Sequence, residues 1–161
     1  MECVVLVTEG DFRTHASQRE AVATLLAEHF GHTVEIAHTE AGAPYIQGFN
    51  GYISISHCAV AVAVAISRHP VGVDIEGHRY EKMRRIAHRY VSAETIDMDI
   101  DSPTMLSATW CAKEAIYKLH RGEGFSSHVS VGFPSPKHIL TIKHTKNYTL
   151  AVAMERSSSL L

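Results

Sequence analysis

Hydrophobic positions along this chain alternate between a period of two and a period near 3.6, and the switches outline its elements. Val4-Val5-Leu6-Val7 predicts a first strand. From about Thr14 to Phe30, the residues Ala16, Ala23, Leu26, Ala27 and Phe30 fall near helical spacing, and Gly31 is a natural stop. Thr33 to Ala37 predicts a second strand, while Gly42-Ala43-Pro44-Tyr45 and Gly48 to Gly51 are turn chemistry. The clearest strand signal is Tyr52-Ile53-Ser54-Ile55-Ser56, which breaks at His57 and resumes as the apolar run Val60 to Ile66. Beyond Pro70, Val71 to Glu76 predicts a strand, Glu81 to Tyr90 a basic helical stretch and Asp97 to Pro103 an acidic loop. A strong helix is expected from about Thr104 to Leu119, with Ser102 as N-cap and Pro103 in the first helical position. Gly122-Glu123-Gly124 ends it. Strands are expected again at Val129 to Gly132, Ile139 to His144 and Thr149 to Met154, ahead of a frayed serine-rich tail from Ser157.

The second half echoes the first. Ile53-Ser54-Ile55-Ser56-His57 aligns with Leu140-Thr141-Ile142-Lys143-His144, and Ala63-Val64-Ala65-Ile66 with Ala151-Val152-Ala153-Met154. Strand, helix and further strands follow in that order on both sides of Pro70. The expected fold class is therefore α+β, a pseudo-dimer of two related halves, each with a helix on a small, mostly antiparallel sheet. The halves are residues 1–70 and 71–161, packed as one compact unit with a cleft between them as the natural ligand site.

Composition narrows the class. The chain has 161 residues, 45% hydrophobic and 20% charged, with a formal net charge of -2. That balance suits an ordinary globular protein and argues for neither nucleic acid nor an acidic membrane surface as partner. Cys3, Cys58 and Cys111 are too widely spaced for a disulfide framework or a cysteine zinc site, so reduced thiols and a cytoplasmic setting are expected. The Met-Glu-Cys start lacks the basic region of a signal peptide, and no apolar run is long enough to span a bilayer. The twelve histidines are scattered without HExxH or close ligand spacing.

Two segments carry candidate chemistry. In Gly72-Val73-Asp74-Ile75-Glu76, Asp74 and Glu76 project from one face of a strand while Val73 and Ile75 enter the core. Adjacent carboxylates repel, so the pair is either a solvated strand edge or half of a cation site, and its tight apolar framing favours the cation. In Trp110-Cys111-Ala112-Lys113-Glu114-Ala115-Ile116-Tyr117-Lys118, the residues Trp110, Glu114 and Lys118 fall on one helical stripe, flanked by Lys113 and Tyr117. An exposed Glu–Lys pair would explain this stripe as well. A carboxylate beside a tryptophan on a largely apolar helix, however, needs a partner, and service as a third ligand would supply one. Asp74, Glu76 and Glu114, all oxygen donors, suit magnesium, with manganese as the alternative, and such a site completes its shell with water and substrate phosphate. A third segment, Ser54-Ile55-Ser56-His57-Cys58, places hydroxyls and an imidazole at a strand end, where they bind a phosphate or simply close a hairpin.

In this order the segments resemble the 4'-phosphopantetheinyl transferases, whose pattern includes G-x-P-x, I-S-H-S, G-(V/I)-D-(I/V)-E and W-x-x-K-E-x-x-x-K. Here these read Gly42-Ala43-Pro44-Tyr45, Ile55-Ser56-His57-Cys58, Gly72 to Glu76 and Trp110 to Lys118; Ile86 to Tyr90 followed by Glu94 looks like the helix the family places between the last two. The resemblance covers roughly residues 42–124 and is closest to the two-lobed, single-chain subfamily, with a shortened first lobe. It implies magnesium-dependent transfer of the 4'-phosphopantetheine arm of coenzyme A to a serine of an apo acyl or peptidyl carrier protein, releasing 3',5'-ADP. This is an activity of the holo-[acyl-carrier-protein] synthase type, performed by a monomer. Carried over residue by residue, Asp74, Glu76 and Glu114 would hold magnesium, Glu114 or a water on it would take the serine proton, and Lys118 with Lys113 would stabilise phosphate charge. His57 with Ser56 would bind the 3'-phosphate, and Gly42 and Pro44 would line the adenine side. The family's common lysine after the first glycine is Ala43 here, its basic residue between two later glycines is Glu123, and its basic position on the first helix is Ala23, with Arg19 one turn earlier as a substitute. These changes remove positive charge from the nucleotide side, and the alternative they raise is a weak or silent coenzyme A-binding protein of the same fold. Lys82, Arg84, Arg85 and Arg89 offer a basic helical face either to an acidic carrier or to solvent.

Overall fold

A computed structural model describes residues 2–91, 101–121 and 137–156. The element order is β1 (Cys3–Glu9), α1 (His15–Phe30), β2 (Ile36–His38), β3 (Pro44–Ile46), β4 (Tyr52–His57), β5 (Ala61–Ser67), β6 (Val71–Gly77), α2 (Tyr80–Ile86), a 3-10 turn (Ala87–Arg89), α3 (Pro103–Leu119), β7 (His138–His144) and β8 (Tyr148–Glu155). The class is α+β, with helices packed on small antiparallel sheets. The expected strand at Val129 to Gly132, the Gly122–Gly124 stop, Glu94, Glu123, most of the acidic loop and the tail from Ser157 lie outside the described residues.

Local chemistry sets the helix ends. Thr14 Oγ1 accepts the Ser17 N–H at 3.1 Å to start α1. Gly31 ends it in the left-handed region at φ 75, its N–H bonding the Ala27 carbonyl. Ser102 Oγ caps α3 by accepting the Met105 N–H at 3.3 Å, with Pro103 opening the helix as expected. The pattern misplaces one region. Pro44–Ile46 is a strand rather than part of a turn, and its partner Ile36–His38 begins three residues later and ends one residue later than the expected Thr33 to Ala37. The turn is instead Thr39 to Ala43, closed by Gly42 N–H on the Thr39 carbonyl at 2.9 Å. A ladder of three residues has too few side chains to impose a period.

Two three-stranded antiparallel sheets dominate, ordered β1-β5-β4 and β6-β8-β7. In each, the last strand in sequence is central. Strand β5 is buried on both faces, which explains its unbroken apolar run. Val62, Val64 and Ile66 meet Ala21, Val22 and Leu26 of α1. Ala61, Ala63 and Ala65 face Val71, Val73 and Ile75 of β6 and the apolar side chains of β8. Small alanines on that side allow the two sheets to approach closely.

Strand β6 divides its residues by parity. Val71, Val73 and Ile75 enter the core between the sheets, while Gly72, Asp74 and Glu76 point toward α3. A Cβ at Gly72 would sit 1.8 Å from the Ala115 carbonyl oxygen and 2.6 Å from the Leu119 nitrogen, so the helix packs directly on the strand backbone there. Strand β4 runs beside β6 without pairing with it as a strand. Two serines span the gap: Ser54 Oγ accepts the Val73 N–H at 3.0 Å, and Ser56 Oγ accepts the Ile75 N–H at 3.1 Å. Among the described residues, no helix is long and apolar enough to cross a membrane.

Candidate active site

The parity of β6 and the close seating of α3 bring the predicted acids together. Asp74, Glu76, Glu114 and Lys118 line one cavity of about 420 Å³, with Ile55, Ser56, His57, Ile75 and Trp110 completing its wall. Trp110 is braced edge-on by Tyr90, ring centroids 5.2 Å apart, and the Tyr90 hydroxyl donates to the Met83 carbonyl at 3.1 Å. The helix expected between the two acidic motifs therefore supports the cavity wall.

Each acid is in a different electrostatic state. Asp74 is buried, and its Oδ1 accepts from Lys118 Nζ at 2.8 Å and from Ser56 Oγ at 2.9 Å. Lys118 Nζ also donates to the Val73 carbonyl at 3.1 Å. Glu76 is buried, and its Oε1 accepts from Arg79 Nε at 2.9 Å and Nη2 at 2.6 Å. Burial pushes its carboxyl above the usual range, against the pull of Arg79. Glu114 is pushed up to about 7, first by burial and then by Asp74, with Lys118 opposing and Glu76 adding to the rise. A carboxyl half-ionised near neutrality beside two others is suited to proton transfer, and a divalent cation would relieve the repulsion.

The donor chemistry fits a hard cation, since all three groups offer oxygen. The spacing is looser than a coordination shell: among the described residues, no three His, Cys, Asp or Glu side chains converge closely enough to hold a metal ion. The cations Lys118 and Arg79 instead neutralise Asp74 and Glu76.

The residues expected on the nucleotide side gather separately. Arg19, Gly42, Pro44 and His57 line a neighbouring cavity of about 460 Å³ together with His15, Gln18 and His38. The substitute cation one turn before Ala23 thus reaches the same space as His57. Burial, and then the Lys118 and His15 charges, lower the His57 pKa from its ordinary value, with Asp74 opposing.

Two expected residues are placed differently. Lys113 is 1% exposed and lines neither cavity, because its position on α3 turns it into the protein rather than toward Lys118. Ser56 lines the acid cavity rather than the one Arg19 lines, its hydroxyl proton directed at Asp74 and its oxygen taking the Ile75 N–H.

The sequence pattern also passes over two arginines. Arg79 follows Glu76 by three residues, a spacing that could have pointed to the pair. Arg121 lines a third cavity, of about 180 Å³, with Gly42, Pro44, Tyr117 and Lys118, and no local signal announces it.

Comparison with known proteins agrees with this architecture. A family model described as the 4'-phosphopantetheinyl transferase superfamily matches residues 70–158, which include β6, α3 and the acid cavity's three carboxylates. The chain belongs to the 4'-phosphopantetheinyl transferase superfamily. Enterobactin synthase component D of Salmonella austin is 36% identical over 97 residues, a match covering 52% of this chain and 36% of that protein. The chain therefore spans little more than a third of the length of this curated relative in the matched region.

Proposed function

We propose that this protein transfers the 4'-phosphopantetheine arm of coenzyme A to a serine of an apo acyl or peptidyl carrier protein, with magnesium. The observation that carries the reading is that Asp74, Glu76, Glu114 and Lys118 line one cavity. In this reading residues 1–70 hold the nucleotide through Arg19, His57, Gly42 and Pro44, and residues 71–161 hold the reacting phosphates. The two halves form a pseudo-dimer acting as a monomer in the cytoplasm.

Asp74, Glu76 and Glu114 would hold the magnesium, which when bound neutralises charge on the diphosphate. Glu114 takes the proton of the carrier serine as its oxygen attacks phosphorus. The bond to 3',5'-ADP breaks, and the departing phosphate carries the negative charge, which Lys118 is placed to stabilise. A serine hydroxyl is a weak nucleophile at neutral pH, so positioning and charge stabilisation supply most of the acceleration.

Incubation with coenzyme A, magnesium and a panel of apo carrier proteins, read by mass spectrometry, tests this directly. A phosphopantetheine mass gain on a carrier, lost on omitting magnesium, is expected. Tight coenzyme A binding with no transfer to any carrier would favour the second reading, a silent binding protein, for which Ala43 in the nucleotide loop and the prior engagement of Asp74 by Lys118 both speak.

A further inference from the structure

We propose that Ser56 is a positioning residue for Asp74, acting through that carboxylate rather than on substrate phosphate; this rests on the reading of Asp74 as a metal-holding acid. The two seam serines occupy equivalent places on β4, two residues apart on the same face. Ser54 and Ser56 are both buried, and each accepts a backbone N–H from β6. The difference lies in what each hydroxyl faces. Ser56 donates to Asp74 Oδ1 at 2.9 Å within the acid cavity, whereas Ser54 lines the smaller cavity beside Arg121 and Pro44 instead.

The result is that Oδ1 receives two donors, Ser56 from the first half and Lys118 from the second, at 2.9 and 2.8 Å. A carboxylate gripped at one oxygen by donors from two elements has its plane fixed, which presents its second oxygen in one orientation. Partners of this kind around a metal-ligating side chain alter metal affinity by about 10- to 100-fold when removed. Ser54 supplies an internal control, since its loss breaks the same kind of seam bond without removing a donor from Asp74.

The test compares Ser56→Ala with Ser54→Ala. Manganese binding to the coenzyme A-loaded protein is followed by the electron spin resonance signal of the free ion, and preference for coenzyme A over 3'-dephospho-coenzyme A is measured alongside. Both variants should lose thermal stability by several degrees through an orphaned buried N–H. Manganese affinity should fall about 10-fold or more in Ser56→Ala only, with preference for the 3'-phosphate retained in both. Should Ser56→Ala not fold, Ser56→Cys, which keeps a weaker donor and acceptor in place, carries the comparison and should show a smaller loss. Equal manganese affinity in the two variants, or loss of the 3'-phosphate preference in the Ser56 variant, overturns the positioning role alone. Absence of manganese binding by the unaltered protein overturns the carboxylate site itself and this role with it.

Discussion

Arg121 and Pro44 are far apart in sequence, yet the Arg121 guanidinium donates to the Pro44 carbonyl at 2.9 Å. Its central carbon also lies 5.4 Å from the centre of the Tyr52 ring. The end of α3 is thereby fastened to the Gly42–Pro44 segment that lines the proposed nucleotide cavity. The arginine adopts φ 55, a left-handed conformation that favours glycine.

Substitution should separate the tie from its backbone cost. Arg121→Ala loses the hydrogen bond and the ring contact and keeps the unfavourable backbone, so it should destabilise by about 1–2 kcal/mol. Arg121→Gly loses the same contacts but relaxes the backbone, and should be the more stable of the two in thermal unfolding. Both should weaken 3',5'-ADP binding by calorimetry. An alanine variant as stable as the glycine variant would count against strain at this position.

Glu114 predicts a pH dependence with a definite sign. Its carboxyl titrates at about 7 in the fold against 4.5 as a reference, so between those values the folded state holds the extra proton. Stability from this group is complete below the lower value and is lost as pH rises through about 7. Glu114→Gln should therefore raise the melting temperature at pH 8 and leave it nearly unchanged at pH 4. Solvent screening of a partly exposed group limits the gain to roughly 1–2 kcal/mol. A divalent cation held by Asp74, Glu76 and Glu114 would draw this carboxyl back down, so the gain from Glu114→Gln at pH 8 should be read on the metal-free protein.

The Lys118–Asp74 pair is suited to a double-mutant cycle. The two groups meet at 2.8 Å, with Asp74 buried and Lys118 partly so. Lys118→Met and Asp74→Asn should each cost stability, and the double variant should cost less than their sum, with a coupling of about 1–2 kcal/mol. Asp74→Asn should also reduce arm transfer by at least about 100-fold while the circular dichroism spectrum is kept. Purely additive losses in the cycle would mean that the ion pair contributes little.

Gly72→Ala tests the helix seat. A methyl group there must displace backbone atoms of α3 rather than a flexible side chain, so destabilisation of about 3 kcal/mol or more is expected. Transfer activity should fall further than the unfolded fraction accounts for, because Glu114 and Lys118 move with the helix. Chemical denaturation and single-turnover rates on the same preparation check both parts.

Much of this site is legible in the residue pattern. The G-V-D-I-E alternation places Asp74 and Glu76 on one face, and helical spacing places Glu114 and Lys118 on one stripe, because both signals rest on local periods. The facing of that stripe to Asp74 depends on helix seating, which Gly72 makes possible and no period encodes. Lys113 shows the limit from the other side: one residue along a helix turns a side chain by about 100°, enough to move a lysine from cavity to interior. Ser56 reads as a polar residue at a strand end, but its partner belongs to another sheet. Strands β2 and β3 are too short for any pattern to place them.

The seam between β4 and β6 decides how Asp74 is held. Each sheet completes its own ladder, and their edges are stitched by hydroxyls, so the join is made of side chains that can be exchanged one at a time. Asp74 sits across that stitch, anchored in one sheet and steadied from the other. Its carboxylate is thus a gauge of alignment: any shift of one sheet along the other would alter, by the same motion, the aim of the acid.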